Sequence, residues 1–186
     1  MYGATGLILD VKPDNGYLLW PSVAEVSASY NTGGTYDLAS VVKSLVDSGI
    51  YVAARLSCCL DSLLAERGST HALKNASGGT LSTPDGMWLD PYSPLVRSYI
   101  IQLCEELAAM GVNEVFLDNL CVPATESGVV YSVSLSSTPS PIAAVCSFAK
   151  DVSRSLRASN PNLLVSVILS NETMHGSGAA TTGQHL

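Results

Sequence analysis

The stretch "NEVFLDNLCVP", residues 113–123, decides how the chain is read. Val115, Phe116 and Leu117 form the apolar run of a buried strand, and the run stops on Asp118. Either Asp118 caps whatever follows, or it stands at a strand tip to do chemistry. The segments on both sides favour the second setting. Upstream, Ser93 and Pro94 give a cap and a first-turn proline. The helix they start carries Val96, Tyr99, Ile100, Leu103, Leu107 and Met110 on one face, and Gly111 stops it. Downstream, a run of small and polar residues reaches about Pro139. Ser140 and Pro141 then repeat the signal ahead of a helix burying Ile142, Val145, Ala149, Val152 and Leu156.

Three further strands surround this unit: "TGLILDVK" at 5–12, "IYVAARLS" at 50–57 and "LLVSVILS" at 163–170. Helical spacing of Leu38, Val41, Val42, Leu45 and Val46 predicts a helix over 35–48, ended by Gly49. A short helix covers "LDSLLAERG", residues 60–68. Residues 69–85 are rich in Gly, Ser, Thr and Asn and read as a long surface loop. Strands with near-continuous apolar runs, alternating with helices, imply a parallel α/β sheet covered by helices. Two architectures fit: an open doubly wound sheet, or part of a (β/α) barrel. No GxGxxG or GxxxxGK[ST] follows a strand, which counts against a nucleotide-binding sheet. A full barrel needs about 250 residues, and four strands are roughly half of one. Residues 1–175 read as one half-barrel-like domain and 176–186 as a flexible tail.

Composition narrows the function. Hydrophobic residues make up 47% and charged residues 13%, which suits a well-buried interior. A net charge of -7 leaves no basic footprint for nucleic acid. No apolar run approaches the roughly 20 residues of a membrane span, and "MYGATGLILDVK" lacks the basic start of a signal peptide. Cys58, Cys59, Cys104, Cys121 and Cys146 include no CxxC pair and no spacing with His71, His175 or His185 that would hold zinc. They read as buried reduced thiols; neither a metal nor a cofactor is expected.

In a parallel α/β sheet all strands end on one side, where ligands bind. Polar residues collect there: Asp10 and Lys12, Arg55, Asp118 and Asn119, then Asn171 and Glu172. Each also has a plain structural reading. Asp10 and Lys12 can pair with each other or hold the turn. Arg55 can clamp Asp10 or Asp118. Glu172 can be a solvated loop residue. Asp90 in "WLDPYSP" can be a turn residue that fixes a helix start, and Trp88 and Tyr92 beside it can pack rather than stack on a sugar. Asp14, Asn15 and Gly16 read as turn formers.

The succession "LILDVKPDNGYL" (7–18), "GIYVAARLSCCLDSLLAER" (49–67), "MWLDPYSP" (87–94) and "FLDNLCVP" (116–123) resembles a bacterial glycosyl hydrolase domain family with an α-amylase-like TIM barrel. That family shows an "IDVKDD.G" strand, an "AR...F.D" strand, a "W.DPYS..V" helix start and a strand ending "FDYVRFP". The matching positions are Asp10, Lys12, Asp14, Gly16, Arg55, Asp61, Trp88, Asp90, Pro91, Tyr92, Asp118 and Pro123. Asn119 replaces the aromatic after the strand-end Asp, and Leu120 and Cys121 stand where the family has an Arg. The resemblance implies that the four strands are the second to fifth of eight, leaving two exposed sheet edges to be covered, for example by a homodimer. It implies a carbohydrate substrate and an extracellular or cell-envelope setting. It also implies Asp118 as nucleophile and Glu172 as acid, with Asp10, Lys12, Arg55, Trp88, Asp90, Tyr92 and Asn119 binding substrate. The alternative is a non-catalytic carbohydrate-binding or interaction module.

Overall fold

The computed structural model describes residues 3–123, 128–133, 139–174 and 182–184. In chain order the elements are β1 (Gly6–Lys12), α1 (Glu25–Tyr30), α2 (Leu38–Asp47), β2 (Tyr51–Ser57) and α3 (Ser62–Arg67). A 3-10 turn at Ser69–His71 precedes a small hairpin of β3 (Ser82–Thr83) and β4 (Gly86–Met87). Then come α4 (Pro94–Met110), β5 (Glu114–Asp118), α5 (Pro141–Ser159), β6 (Leu164–Val167) and α6 (Asn171–Met174).

The main sheet has the order β1-β2-β5-β6 with every pairing parallel. Of the two architectures that the alternation of strands and helices allows, it is the partial (β/α) barrel. Side chains alternate between the faces. Val52, Ala54, Leu56, Val115 and Leu117 are fully buried in one core with the helices. The opposite, concave face carries Asp10, Arg55, Phe116 and Asp118, which the register sets side by side or nearly so. Toward its edges this face is open: Ile8 is 66% and Leu164 54% exposed.

The helix boundaries follow local chemistry. Ser93 Oγ accepts from Val96 N, Ser140 Oγ from Ala143 N, and Pro follows each cap. Gly111 ends α4 in the left-handed region at φ 93°, which a residue without Cβ adopts freely. Asp37 caps α2 through Ser40 N. In α5 the buried face is Ala144, Val145, Phe148, Val152 and Leu156; it keeps Val145, Val152 and Leu156 of the predicted face, while Ile142 and Ala149 are only half-buried.

Three elements differ from expectation. Helix α1 lies in a stretch with no apolar period; the segment before it is tied to α4, where Trp20 Nε1 (2.6 Å) and Ser22 Oγ (2.9 Å) donate to Glu106. Residues 69–85 are not a plain surface loop: they hold the 3-10 turn and most of the hairpin, and Leu73 and Leu81 are buried beneath them. Within the segment read as a tail, Thr182 and Gln184 are buried. Val122 N donates to Thr182 O, and Gln184 Nε2 donates to Ile168 O at 3.0 Å.

The five cysteines form no disulfide with one another. Burial pushes the Cys59 thiol up to about 12, and burial likewise raises Cys58 and Cys104. A thiol whose folded pKa is raised contributes stability that is intact below its unfolded value near 9 and lost as the pH rises toward the folded value. Urea midpoints are therefore expected to hold steady from pH 6 to about 8 and to fall by pH 10. At pH 7, iodoacetamide should label half-buried Cys146 while sparing Cys58, Cys59 and Cys104; rapid labelling of those three would contradict the packing.

Candidate active site

Arg55 organises the rim. It projects from β2 onto the concave face, between Asp10 on β1 and the tip of β5. Its Nη1 donates to Asp10 Oδ1 at 2.8 Å, its Nη2 to Asp14 Oδ1 at 2.7 Å, and its Nε to Asp118 Oδ2 at 2.6 Å. One guanidinium thus serves three carboxylates through the donor fork that arginine alone provides. Burial works against the guanidinium charge, but the hydrogen bonds it donates to Asp14, Asp10 and Asp118 outweigh it and hold the arginine pKa above its ordinary value.

Asn119 braces the same cluster. At φ 48° it occupies the left-handed region, which Asn tolerates better than most residues. Its backbone N donates to Asp118 Oδ1 at 2.8 Å. Its Nδ2 donates to Asp14 Oδ1 (3.0 Å) and Ser57 Oγ (2.9 Å). Asp118 is therefore no cap of a helical turn. Both of its oxygens accept from groups beside it, and its side chain is only 19% exposed.

A cleft of about 530 Å³ opens next to this cluster, lined among others by Asp14, Asp85, Trp88, Asn119, Cys121 and Thr182. Trp88 presents little of its ring; its Nε1 donates to Thr83 Oγ1 at 3.0 Å, on the hairpin.

The remaining residues singled out from the sequence, Glu172 apart, have internal partners. Lys12 does not pair with Asp10. A register shift between Asp10 and Lys12 turns the ammonium inward. There it meets Asp61 Oδ2 at 2.7 Å as an ion pair off the hydrogen-bond direction, and donates to Ser57 O at 2.6 Å. Gly16 makes room: a Cβ there would fall 1.9 Å from Asp61 Oδ1. Asp90 is wholly buried and accepts from Tyr92 N (2.9 Å) and Ser132 N (2.6 Å), while Ser93 does the helix capping. Tyr92 donates its hydroxyl to Pro139 O at 2.6 Å and packs edge-on against Tyr131. Glu172 lies in α6, directly after Ser170, Asn171 and the end of the β6 region; its side chain lies outside the described residues. The structure thus gathers Asp10, Arg55, Asp118 and Asn119, and adds Asp14, which sequence reasoning took for a turn former. Its place in the "DVKPD" stretch matching the family's strand was the signal, but the turn reading kept it out of the expected substrate-binding set.

Residues 4–186 match the family described as "Putative glycosyl hydrolase domain", DUF4015. No curated protein matches the sequence. Among solved structures, a hypothetical protein from Ruminiclostridium thermocellum ATCC 27405 shares the fold with a TM-score of 0.76 at 22% identity, over 89% of this chain and 84% of that one. The α-L-fucosidase isoenzyme 2 of Paenibacillus thiaminolyticus gives 0.63 at 12% identity, over 95% of this chain but 29% of its own. Aspergillus fumigatus Ega3, solved in complex with galactosamine, gives 0.55 at 14% identity, over 99% of this chain and 59% of its own. At these identities the likeness is one of fold, a glycoside hydrolase-like partial barrel. With its sheet, its strand-tip carboxylates and a family match across nearly its whole length, the chain belongs to the putative glycosyl hydrolase domain family, DUF4015.

Proposed function

We propose that the rim is a carbohydrate site of the glycoside hydrolase type. The observation that carries this reading is the Arg55 cluster, which holds Asp118 at a strand tip beside an open cleft. Glycoside hydrolysis uses two carboxyl groups, one acting on the anomeric centre or its water and one donating a proton to the leaving oxygen. Asp118, an ion-paired carboxylate, accepts hydrogen bonds and donates none, which suits the first role. Glu172 is assigned the second: it follows β6 closely, and Ser170, two residues before it, lines the cleft. Arg55 and Asn119 orient Asp118, and Asp10 completes the guanidinium's shell. Trp88 borders the space a sugar would fill, while Lys12, Asp90 and Tyr92 shape its surroundings from within the fold. Ega3, which shares the fold, was solved in complex with galactosamine, a sugar.

One observation favours a second reading, a carbohydrate-binding module without catalysis. Both Asp118 oxygens already accept a hydrogen bond from this chain, which lowers their nucleophilicity and suits a carboxylate that orients a ligand rather than attacks it.

A panel of α- and β-linked oligosaccharides separates the two. Cleavage by the wild type, abolished in Asp118→Asn with the melting temperature lowered by no more than about 4 °C, or about 1 kcal/mol, is the expected outcome. Binding without cleavage would favour the module. A wild type that neither binds nor cleaves any member of the panel would remove both readings.

A further inference from the structure

We infer that Asp14 is the specificity-determining residue of the cleft: its Oδ2 accepts a hydroxyl group of the bound sugar. This inference rests on the carbohydrate reading of the site and assigns a contact to a residue that looks, in the sequence, like part of a turn.

The carboxylates around Arg55 are not equivalent. Asp118 has both oxygens engaged, Oδ2 by the guanidinium and Oδ1 by Asn119 N. Asp10 is on the rim but does not line the cleft. Asp14 does line it, and its side chain is 46% exposed. Its two oxygens are used unequally. Oδ1 accepts from both Arg55 Nη2 (2.7 Å) and Asn119 Nδ2 (3.0 Å), whereas Oδ2 accepts from no described residue. The carboxylate is thus held in place by one oxygen and offers the other to the cleft, as a contact made before ligand arrives requires.

The backbone around Asp14 reinforces that placement. Gly16 N donates to Pro13 O at 3.0 Å, closing the turn, and Ser62 N and Leu63 N at the start of α3 donate to Asp14 O and Asn15 O. The turn is therefore fastened to a helix, and the side chain does not share the freedom of an ordinary surface loop.

Its position relative to Asp118 is also suited to the task. Asp14 Oδ1 and Asp118 Oδ2 lie 2.7 and 2.6 Å from the same Arg55 nitrogen, so those two oxygens are no more than about 5.3 Å apart. A sugar hydroxyl held by Asp14 therefore lies next to the carboxylate proposed to act on the anomeric centre. Both groups are ion-paired acceptors, so Asp14 binds substrate and leaves proton donation to another residue.

The test uses the conservative variant. In Asp14→Asn, the donors Arg55 Nη2 and Asn119 Nδ2 fix the amide oxygen in the Oδ1 place. The NH2 group then replaces Oδ2, which turns an acceptor facing the cleft into a donor while leaving the arginine cluster intact. The probes are maltotriose, cellotriose and laminaritriose, titrated calorimetrically into the full chain. The wild type is expected to bind at least one of them. Asp14→Asn and Asp14→Ala are both expected to weaken that binding roughly 10- to 100-fold, as for a hydrogen bond to a charged group, and Asp14→Asn should melt as the wild type does. Asp47→Asn, which touches only the surface pair with Lys43, should bind normally. Asp14→Asn binding as tightly as wild type, with only Asp14→Ala impaired, would reduce Asp14 to a buttress of Arg55 and overturn this inference while the carbohydrate reading stands. No binding of any probe by the wild type would overturn both.

Discussion

Replacing Lys12 with methionine is expected to cost about 3 to 5 kcal/mol of stability, the usual loss when one member of a buried ion pair is removed. Neither the Lys12 nor the Asp61 side chain has any exposed surface, and the charged atoms are 2.7 Å apart. The ammonium also donates to Ser57 O and lies 6.0 Å from the Tyr99 ring centroid. Methionine fills the volume but leaves the Asp61 carboxylate enclosed with Leu64 N as its remaining donor. Asparagine at position 61 keeps the acceptor for Leu64 N and removes the charge, so Lys12→Met/Asp61→Asn should recover about half of the loss. Urea unfolding at pH 7 measures both. A loss below about 1 kcal/mol for Lys12→Met would mean that water reaches the pair.

Replacing Arg55 with methionine has the next largest expected effect, a loss of about 3 kcal/mol at pH 7 and low salt. That is below the full cost of breaking a buried pair, because Asp10 and Asp14 are half-exposed. Without the guanidinium, Asp10, Asp14 and Asp118 face one another with no counter-charge. Their mutual repulsion is what the guanidinium offsets, and salt screens it. Half-molar salt should therefore shrink the deficit relative to wild type. Thermal melts at pH 7 in low and half-molar salt test this; a deficit that stays constant with salt would mean that Arg55 acts through packing alone. The variant should also lose sugar binding, since Asp14 and Asp118 take their orientation from Arg55.

Much of the architecture was legible because its signals are local. Ser-Pro pairs at 93–94 and 140–141 mark helix starts through caps that reach only three residues ahead. The four strands were visible as apolar runs, and Asp118 as a strand end, because burial on the helix face demands apolar side chains at alternate positions. Helix α1 was not legible. "EVSASY" is short and polar, and a helix of that kind owes its stability to what anchors it rather than to propensity. Composition also misread residues 69–85. Glycines and serines suggested a surface loop, while burial there rests on Leu73 and Leu81, spaced too far apart to make a period.

The charged residues mark the boundary between sequence and tertiary structure. By itself the sequence determined which residue types crowd the strand tips, since strand, turn and cap are set by neighbours a few positions away. Only the tertiary structure decided who pairs with whom. Lys12 looked like a partner for Asp10, two residues away, yet the register shift turns it inward to Asp61. Arg55 then takes Asp10, Asp14 and Asp118, which come from 45, 41 and 63 positions away in the chain. An ion pair depends on distance and on solvent exclusion, and both are fixed by strand register and helix packing. Those quantities do not exist until remote segments meet, which is why Asp14 reads as a turn in the sequence and becomes a wall of the cleft in the fold.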